Sequence, residues 1–266
     1  MLLLGCLLAV LVGITLGMIG SGGTILTVPI LVYIMGVNPI LATTYSLFAI
    51  GITSFIGGVR GIIYQEADLS KVLSFGIPSL VVVFTTRAFI LPLVPDVIVL
   101  GSFQLEQHVA LMLLFAAVML TSSINMIRTA KFPLESSATA FHVPLYGVML
   151  QGAMVGFITG LVGAGGGFLI IPALINFYKL PIRKAVATSL IIITINSCFG
   201  LLGDLEKFPE FDWRLISAYT LSTVFGLFIG FNLVKKVSNL FLRVSFGYMI
   251  LIIGLYILVK ELILIH

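Results

Sequence analysis

The chain has 266 residues, of which 60% are hydrophobic and only 9% are charged. This composition excludes an ordinary water-soluble globular domain, in which about a quarter of the residues are charged. The 14 Lys and Arg exceed the 10 Asp and Glu, but in so apolar a chain the excess indicates orientation in a membrane rather than binding to nucleic acid. We therefore predict a polytopic integral membrane protein without a nucleic-acid partner.

Apolar segments fill the chain, separated by short clusters of charged and turn-forming residues. We predict segments at 2–19, 24–37, 40–60, 71–93 and 108–128, and then at 144–162, 167–178, 182–203, 213–234 and 240–263. Residues 2–36 would form one helix about 52 Å long, whereas the hydrocarbon core is about 30 Å thick. We therefore expect two antiparallel helices there, either as a re-entrant hairpin or as two short spans. Residues 1–6 carry no basic side chain, so we expect no cleaved signal peptide.

Two glycine-rich motifs interrupt this apolar sequence at matching positions, 143 residues apart. They read Gly17-Met18-Ile19-Gly20-Ser21-Gly22-Gly23, followed by Pro29, and Gly160-Leu161-Val162-Gly163-Ala164-Gly165-Gly166-Gly167, followed by Pro172. We interpret the chain as a duplication, with a first membrane repeat at 1–131, a linker at 132–139 and a second membrane repeat at 140–266.

The distribution of positive charge favours halves of opposite orientation. If each half has an odd number of crossings and the N-terminus lies outside, ten basic residues lie inside: Arg60, Lys71, Arg128, Lys131, Lys179, Arg183, Lys184, Lys235, Lys236 and Arg243. Four lie outside or near the outer face: Arg87, Lys207, Arg214 and Lys260. Eight simple spans would divide the charges equally, so the positive-inside rule favours the inverted plan. The predicted fold is all-α, each half having a Gly-broken helical hairpin plus three transmembrane helices.

The helices that restart after the glycine motifs indicate a site for an anion. The N-terminus of a helix offers backbone N–H groups and a positive dipole end, and in an inverted repeat two such ends converge within the membrane. We expect donors from Ser21 to Thr24 and from Ala164 to Gly167. Close packing of helices through small residues is the alternative explanation of these motifs.

Polar side chains in the following segments could add hydrogen bonds to an oxyanion. Ser46 of the first half matches Ser189 of the second, and Asn196 lies further along the same segment. Each could equally hold membrane helices together. Arg87 lies about 16 residues into its segment, where it could attract an anion towards an outer vestibule or extend to the headgroups.

The other chemical groups nominate neither catalysis nor a cation pathway. The ten carboxylates fall in loops or at segment ends: Glu66, Asp68, Asp96, Glu106, Glu135, Asp204, Glu206, Glu210, Asp212 and Glu261. We therefore expect no proton relay of carboxylates at mid-membrane. Three histidines at boundaries and two separate cysteines match no metal spacing, and no catalytic motif occurs. We expect neither a metal nor a cofactor, and no enzyme.

With these motifs, the chain resembles the sulfite exporter TauE/SafE family over essentially its whole length. The resemblance implies a membrane transporter of sulfite or small organosulfur anions, whereas the residues alone reach only a small anion. The halves differ: Thr24 stands opposite Gly167, Tyr33 opposite Asn176, and Arg87 has no cationic counterpart near Gly230 and Phe231. We therefore expect an asymmetric site.

We predict alternating access around the two glycine breaks, in a bacterial inner (plasma) membrane protein whose partners are the lipid bilayer and a small anion. A passive anion channel is the alternative, and a membrane-embedded enzyme is a weaker one. The predicted substrate-binding residues are Gly20, Ser21, Gly22, Gly23, Thr24, Ser46, Arg87, Gly163, Ala164, Gly165, Gly166, Gly167, Ser189 and Asn196. The exact substrate, the direction of transport, the coupling ion and the oligomeric state stay open.

Overall fold

A computed structural model describes residues 1–20, 23–95, 97–100, 103–131, 145–178, 180–233 and 239–265. Ten helices follow one another in the described residues: α1 (Leu2–Ile19), α2 (Thr24–Ile34), α3 (Pro39–Ile63), α4 (Leu69–Leu93), α5 (Gln107–Lys131), α6 (Leu145–Val162), α7 (Gly167–Tyr178), α8 (Ile182–Gly203), α9 (Trp213–Leu233) and α10 (Asn239–Ile265). A 3₁₀ turn at Leu205–Glu210 joins α8 to α9. The predicted linker at 132–139 lies outside the described residues.

The predicted all-helical membrane protein is confirmed for the fold as a whole. Seven helices are long and apolar enough to cross a membrane within the described ranges, and α2 and α6 are shorter apolar helices. The departure from helix is an antiparallel hairpin of β1 (Val97–Leu100) and β2 (Phe103–Glu106), where the prediction had a loop. Its first strand reads Val-Ile-Val-Leu, and β-branched side chains favour strands.

The outer faces of the helices are apolar. Leu221 and Phe225 of α9 and Ile252 of α10 expose more than 60% of their surface. In water such a surface would be an aggregation hazard. In a bilayer it is solvated by lipid, while the backbone polar groups are satisfied within each helix. The fold is therefore that of an integral membrane protein.

Wide helical turns interrupt α2 and α4 beside prolines. In α2 the amide of Met35 bonds to the carbonyl of Ile30, five residues earlier, just after Pro29. In α4 the turn Thr86–Ile90 is wide in the same way and precedes Pro92. A proline ring clashes with the carbonyl four residues before it, which for Pro92 belongs to Ala88. The widening of the helix relieves this clash.

The helices pair across the two halves of the chain. α1 packs along α9, α4 along α6, α3 along α8, and α5 along α10. Since α1 corresponds to α6 and α4 to α9 in the repeat, the first two pairs are equivalent to each other. Small residues make the contacts close: Gly17 of α1 lies against the carbonyl of Leu227, and Gly152 of α6 against that of Phe75, where an added Cβ would approach to 2.6 Å in each case.

Equivalent helices of the two halves run antiparallel where they meet. Along α3, the contact partners of Gly51, Gly57 and Gly61 are Ser197, Leu190 and Ala187 of α8. The residue number rises along one helix while it falls along the other. The pair α5 and α10 behaves in the same way, because Gly254 lies beside Met119 while Gly247 accepts a hydrogen bond from Ser123 at 2.8 Å.

Candidate functional site at the glycine breaks

The two glycine motifs end the helices before them in the same way. Gly20 donates its N–H to the carbonyl of Leu16 at 2.8 Å, and Gly163 donates to Thr159 at 2.8 Å, so each closes the helix before it. Both have positive φ, 86° and 69°, in the left-handed region that favours glycine. The next helices begin at Thr24 and Gly167. Ser21 and Gly22 lie outside the described residues.

These hydrogen bonds restrict what Gly20 and Gly163 can contribute. Their amides already serve the preceding helices, so they supply a turn and a close approach rather than a donor. Gly165 and Gly166 also have positive φ, 65° and 69°. Turn conformations can direct successive N–H groups into a concavity that accepts an anion.

The second break extends from one end of α3 towards its middle. An added Cβ on Gly163 would collide with Thr43 and with the guanidinium of Arg87. On Gly165 it would lie 3.0 Å from Ile50 and 3.1 Å from Ile193, which are equivalent residues of the two halves. Thr43 and Ile50 are about 10 Å apart along the helix axis. Gly165 therefore lies near the point at which α3 crosses α8.

In the first break, Gly20 matches Gly163 but lies in an apolar environment. An added Cβ on Gly20 would lie 2.6 Å from Val186, the counterpart of Thr43, and 3.2 Å from Ile171. Thr24 is completely buried at the start of α2. The two breaks therefore close the preceding helices alike but differ in their surroundings, and they also differ just before the next helix, where φ is −62° at Gly23 and 69° at its counterpart Gly166.

Arg87 is completely buried and forms an ion pair with Asp204, which directly follows α8. It lies in the wide turn of α4, so the turn that Pro92 produces presents the guanidinium to Gly163. Of the two expectations for Arg87, extension to the headgroups is wrong, because the side chain has no exposed surface. It lies inside the protein beside the second break.

Asp204 holds this arrangement together through three donors. Its carboxylate accepts from Arg87, from Thr44 Oγ1 at 2.8 Å and from Lys207 Nζ at 2.7 Å. Burial alone would raise the pKa of Asp204, but Arg87 and Lys207 outweigh it and hold that pKa below its usual value. Two cations and one carboxylate leave the cluster with one positive charge.

Part of the guanidinium is buried without a hydrogen-bond partner among the described residues. Arg87 uses Nη1 for Asp204, whereas its Nε and Nη2 have no hydrogen-bond partner among the described residues. These two nitrogens form the side edge of the guanidinium, which matches two oxygens of one oxyanion. A buried donor without a partner is costly, so this edge is suited to receive a ligand.

The remaining predicted residues are buried but are not all joined to this cluster. Ser46 has a hydroxyl without a partner among the described residues, and Ser189 donates to the carbonyl of Val186 at 2.8 Å. Asn196 donates to Ser79 at 2.8 Å, and its Oδ1 is without a described partner. Ala164 is buried within the break. The structure thus joins Arg87 with Gly163, and leaves Ser189 in a hydrogen bond within α8.

Sequence reasoning missed two buried carboxylates. Asp204 does lie at a segment end as predicted, but only 2% of its surface is exposed; Glu261 lies inside α10 with 3% exposed. Glu261 accepts a hydrogen bond from Tyr33 of α2 at 2.6 Å. Both carboxylates thus lie at or near the end of a segment, as expected, but hydropathy did not indicate that they are buried. The sequence did contain one signal for Asp204: in the repeat, this carboxylate stands at the position of Gly61 in the first half.

The opposite end of the α3–α8 pair carries a different cation. The guanidinium of Arg60 lies 4.0 Å from the ring centre of Phe231, which is next to Gly230, the residue of α9 that matches Arg87 of α4. A cation over an aromatic face is attracted by the ring electrons. Each end of this helix pair therefore has an arginine, one paired with a carboxylate and one with an aromatic ring.

Seven membrane-capable helices among the described residues define an integral membrane protein. The family model described as Sulfite exporter TauE/SafE matches residues 5–257. The chain belongs to this family.

Curated relatives cover nearly the whole chain. A probable membrane transporter protein of Xylella fastidiosa strain 9a5c is 28% identical over 264 residues, spanning 93% of this chain and 91% of the relative. One from Methanocaldococcus jannaschii is 27% identical, with 94% of each chain covered. The Bacillus subtilis protein YunE, also a probable membrane transporter, is 25% identical, with 93% of each covered. No solved structure matches the chain.

Proposed function

We propose that this transporter moves a small anion, sulfite or an organosulfonate, across the bacterial plasma membrane by alternating access around the two glycine breaks. The observation that carries the proposal is the edge of the Arg87 guanidinium, which is completely buried beside Gly163 and has two nitrogens without a hydrogen-bond partner among the described residues. A permanent cation in a buried place, with two donors unused, fits an anionic substrate better than a neutral or cationic one.

The charge of the site supports an anion. Arg87 and Lys207 together exceed Asp204 by one positive charge, and electrostatic attraction is strong where water is excluded. The amides after each break would add donors without adding charge. In this proposal Gly23 and Thr24 contribute on one side and Ala164, Gly166 and Gly167 on the other, with Ser21 and Gly22 outside the described residues.

The shape of the donor set favours an oxyanion. Nε and Nη2 of Arg87 point in parallel, so a sulfite, sulfonate or carboxylate can accept both hydrogen bonds at once. A halide has no second acceptor atom in the matching position. The family description supplies the choice of sulfur oxyanions within this class. Ser46, Ser189 and Asn196 are proposed to complete the shell by hydrogen bonding when α3 and α8 move.

Inverted halves are supported by packing and by charge. α3 and α8 occupy equivalent places in the repeat, both are long enough to span a membrane, and they run antiparallel. Two equivalent spans of opposite direction are what an inverted repeat produces. The positive-inside rule gives the same orientation, with the repeats at 1–131 and 140–266.

This orientation assigns the two arginines to opposite ends of the pathway. Arg87 with Asp204 lies towards the outside and Arg60 with Phe231 towards the inside. Between them Ile50 and Ile193 lie against Gly165 at the middle of the α3–α8 contact. We propose that the outer end is closed in this conformation by the Arg87–Asp204 pair, and that relative movement of the halves exposes the breaks to each side in turn.

The test is uptake into sealed proteoliposomes of sulfite, sulfate, taurine, sulfoacetate and acetate, with and without a membrane potential. We expect saturable uptake of sulfite or a sulfonate. Arg87→Gln should lower it by at least about 30-fold, because losing charge-assisted hydrogen bonds costs about 2 kcal/mol or more. The matched control is Arg214→Gln at an exposed arginine, which should retain uptake. Uptake that rises linearly with concentration would indicate a channel, and no uptake of any of these anions would refute the proposal.

A further inference from the structure

Glu261 is a buried carboxylate that the proposed anion site does not use. It lies in the membrane-spanning part of α10, and its Oε1 accepts a hydrogen bond of 2.6 Å from the Tyr33 hydroxyl. Its Oε2 is buried and has no hydrogen-bond partner among the described residues. Ionisable groups inside membrane helices are costly, and where they occur they mark ion or proton pathways.

The charged and titratable neighbours of Glu261 are few. Tyr33 comes from α2, and its ring meets that of Tyr256 of α10 at 6.1 Å and carries Lys260 Nζ at 4.3 Å from its centre. No described residue of α1 or α5, which also pack against α10, forms a hydrogen bond or ion pair with the carboxylate. Lys260 contacts the face of the tyrosine rather than the carboxylate. The Oε2 atom of Glu261 therefore has no hydrogen-bond partner among the described residues, and a proton can bind there.

Glu261 is connected to the first glycine break through one short helix. Tyr33 lies nine residues after Thr24, so the hydrogen bond and the break are at the two ends of α2, about 14 Å apart. Tyr33 is in the wide turn that follows Pro29. Wide turns of this type are rare and occur frequently at functional sites. A change at Glu261 can thus alter the position of α2 and, with it, the break.

We propose that Glu261 is the proton-binding site that couples anion transport to proton movement, with one proton carried for each anion. In its ionised form Glu261 accepts from Tyr33 and holds α2 against α10. A proton from the water on one side binds the carboxylate, weakens its acceptance from Tyr33 and releases α2; on the other side the proton leaves and the hydrogen bond forms again. A monovalent anion then moves without net charge. The proposal rests on the proposed function.

The repeat supports a single proton site of this kind. The counterpart of Tyr33 in the second half is Asn176, which has no ionisable group. The side chains that carry charge at the two proposed sites, Arg87 and Glu261, lie where the halves differ, whereas the glycine breaks are common to both halves.

The experiment compares two kinds of transport by Glu261→Gln in proteoliposomes, using the tested anion with the highest uptake as the probe. Exchange of labelled for unlabelled anion needs no net proton movement, whereas accumulation driven by a pH gradient does. We expect Glu261→Gln to keep exchange within about twofold and to lose at least about tenfold in accumulation. Glu66→Gln, the same change at an exposed carboxylate, should retain both. Glutamine can still accept from Tyr33 through its amide oxygen, so a purely structural Glu261 predicts no change in either assay.

Each outcome decides between the two proposals. Two results would overturn the proton site and leave the anion transporter proposal unaffected. In the first, Glu261→Gln shows undiminished pH-driven accumulation. In the second, the wild type is active in exchange but its accumulation does not depend on the pH gradient. Absence of both exchange and accumulation in the wild type would overturn the transporter proposal itself. If Glu261→Gln does not fold, Glu261→Asp replaces it: a displaced carboxyl should keep accumulation with a shifted pH profile, and an unaltered profile would count against the proposal.

Discussion

Neutralising both members of the Arg87–Asp204 pair separates its structural role from its part in transport. Arg87→Gln alone leaves a buried carboxylate that still has Lys207 and Thr44 as donors. Asp204→Asn alone leaves a buried guanidinium without its carboxylate. Breaking a buried pair costs about 3–5 kcal/mol. We expect the first variant near the lower limit and the second near the upper limit.

The double variant Arg87→Gln/Asp204→Asn should be more stable than either single one. It buries no uncompensated charge, and replacing both members of a buried pair is often nearly neutral. We expect its loss of stability to be below about 2 kcal/mol, which with these single losses gives a coupling energy of about 6 kcal/mol or more. The measurement is chemical unfolding of the purified protein in mixed micelles, followed by the fluorescence of Trp213.

Transport by the same variants identifies the role of Arg87. If Arg87 binds the anion, the double variant recovers stability but remains at least about 30-fold below wild type in uptake. If Arg87 only stabilises the fold, uptake recovers together with stability. Stability losses that simply add, with no coupling, would refute the ion-pair geometry on which the proposed site depends.

Two further variants test the second break and the electrostatics of the cluster. Gly163→Ala should abolish uptake, because φ is 69° there and the added Cβ would collide with Arg87 and Thr43. The control is Gly36→Ala, where φ is 73° but no atom lies within 4 Å of the added Cβ. This control measures backbone strain alone and should retain uptake. If the two alanine variants transport equally well, Gly163 is not a close-contact position. The pKa of Asp204 is lowered in the folded protein, so the ionised carboxylate stabilises the fold at any pH above the unfolded pKa of about 4. This contribution is lost as the pH falls through the folded pKa. The difference in unfolding free energy between wild type and Asp204→Asn should therefore be constant above about pH 5 and decrease below about pH 4, and a difference that grows with acid would contradict the assigned ionisation.

Much of the fold could be predicted because the membrane imposes simple rules on sequence. The ten apolar segments correspond to the ten described helices, and both helix breaks occur at the repeated glycines. Boundaries moved where turn residues dominate: α3 begins at Pro39 behind the Asn38 cap and continues to Ile63. Prolines also carried a signal that was not used, since Pro92 predicts a distortion near Arg87.

The chemical partners could not be predicted because they lie far apart in sequence. Arg87 and Asp204 are 117 residues apart, and Tyr33 and Glu261 are 228 apart. Hydropathy describes each segment by itself and treats a carboxylate near a segment end as exposed. Only the packing of α4 beside α8, and of α2 beside α10, shows which charged groups are buried together.

The repeat and the chemistry of this transporter follow different rules. Contacts that recur in both halves involve small and apolar residues: a Cβ added to Gly57 would lie 2.9 Å from Leu190, and one added to Gly200 would lie 2.9 Å from Leu47. A twofold arrangement needs these to match, because each helix contact occurs twice. At the Thr44 contact, by contrast, Asp204 stands at the position equivalent to Gly61, and Arg87 stands at the position equivalent to Gly230. A perfectly symmetric chain would place either two such ion pairs or none along the pathway. Having one makes the two ends of the α3–α8 contact chemically different, so in the proposed transport cycle an anion would meet an arginine paired with a carboxylate at one end and an arginine over an aromatic ring at the other.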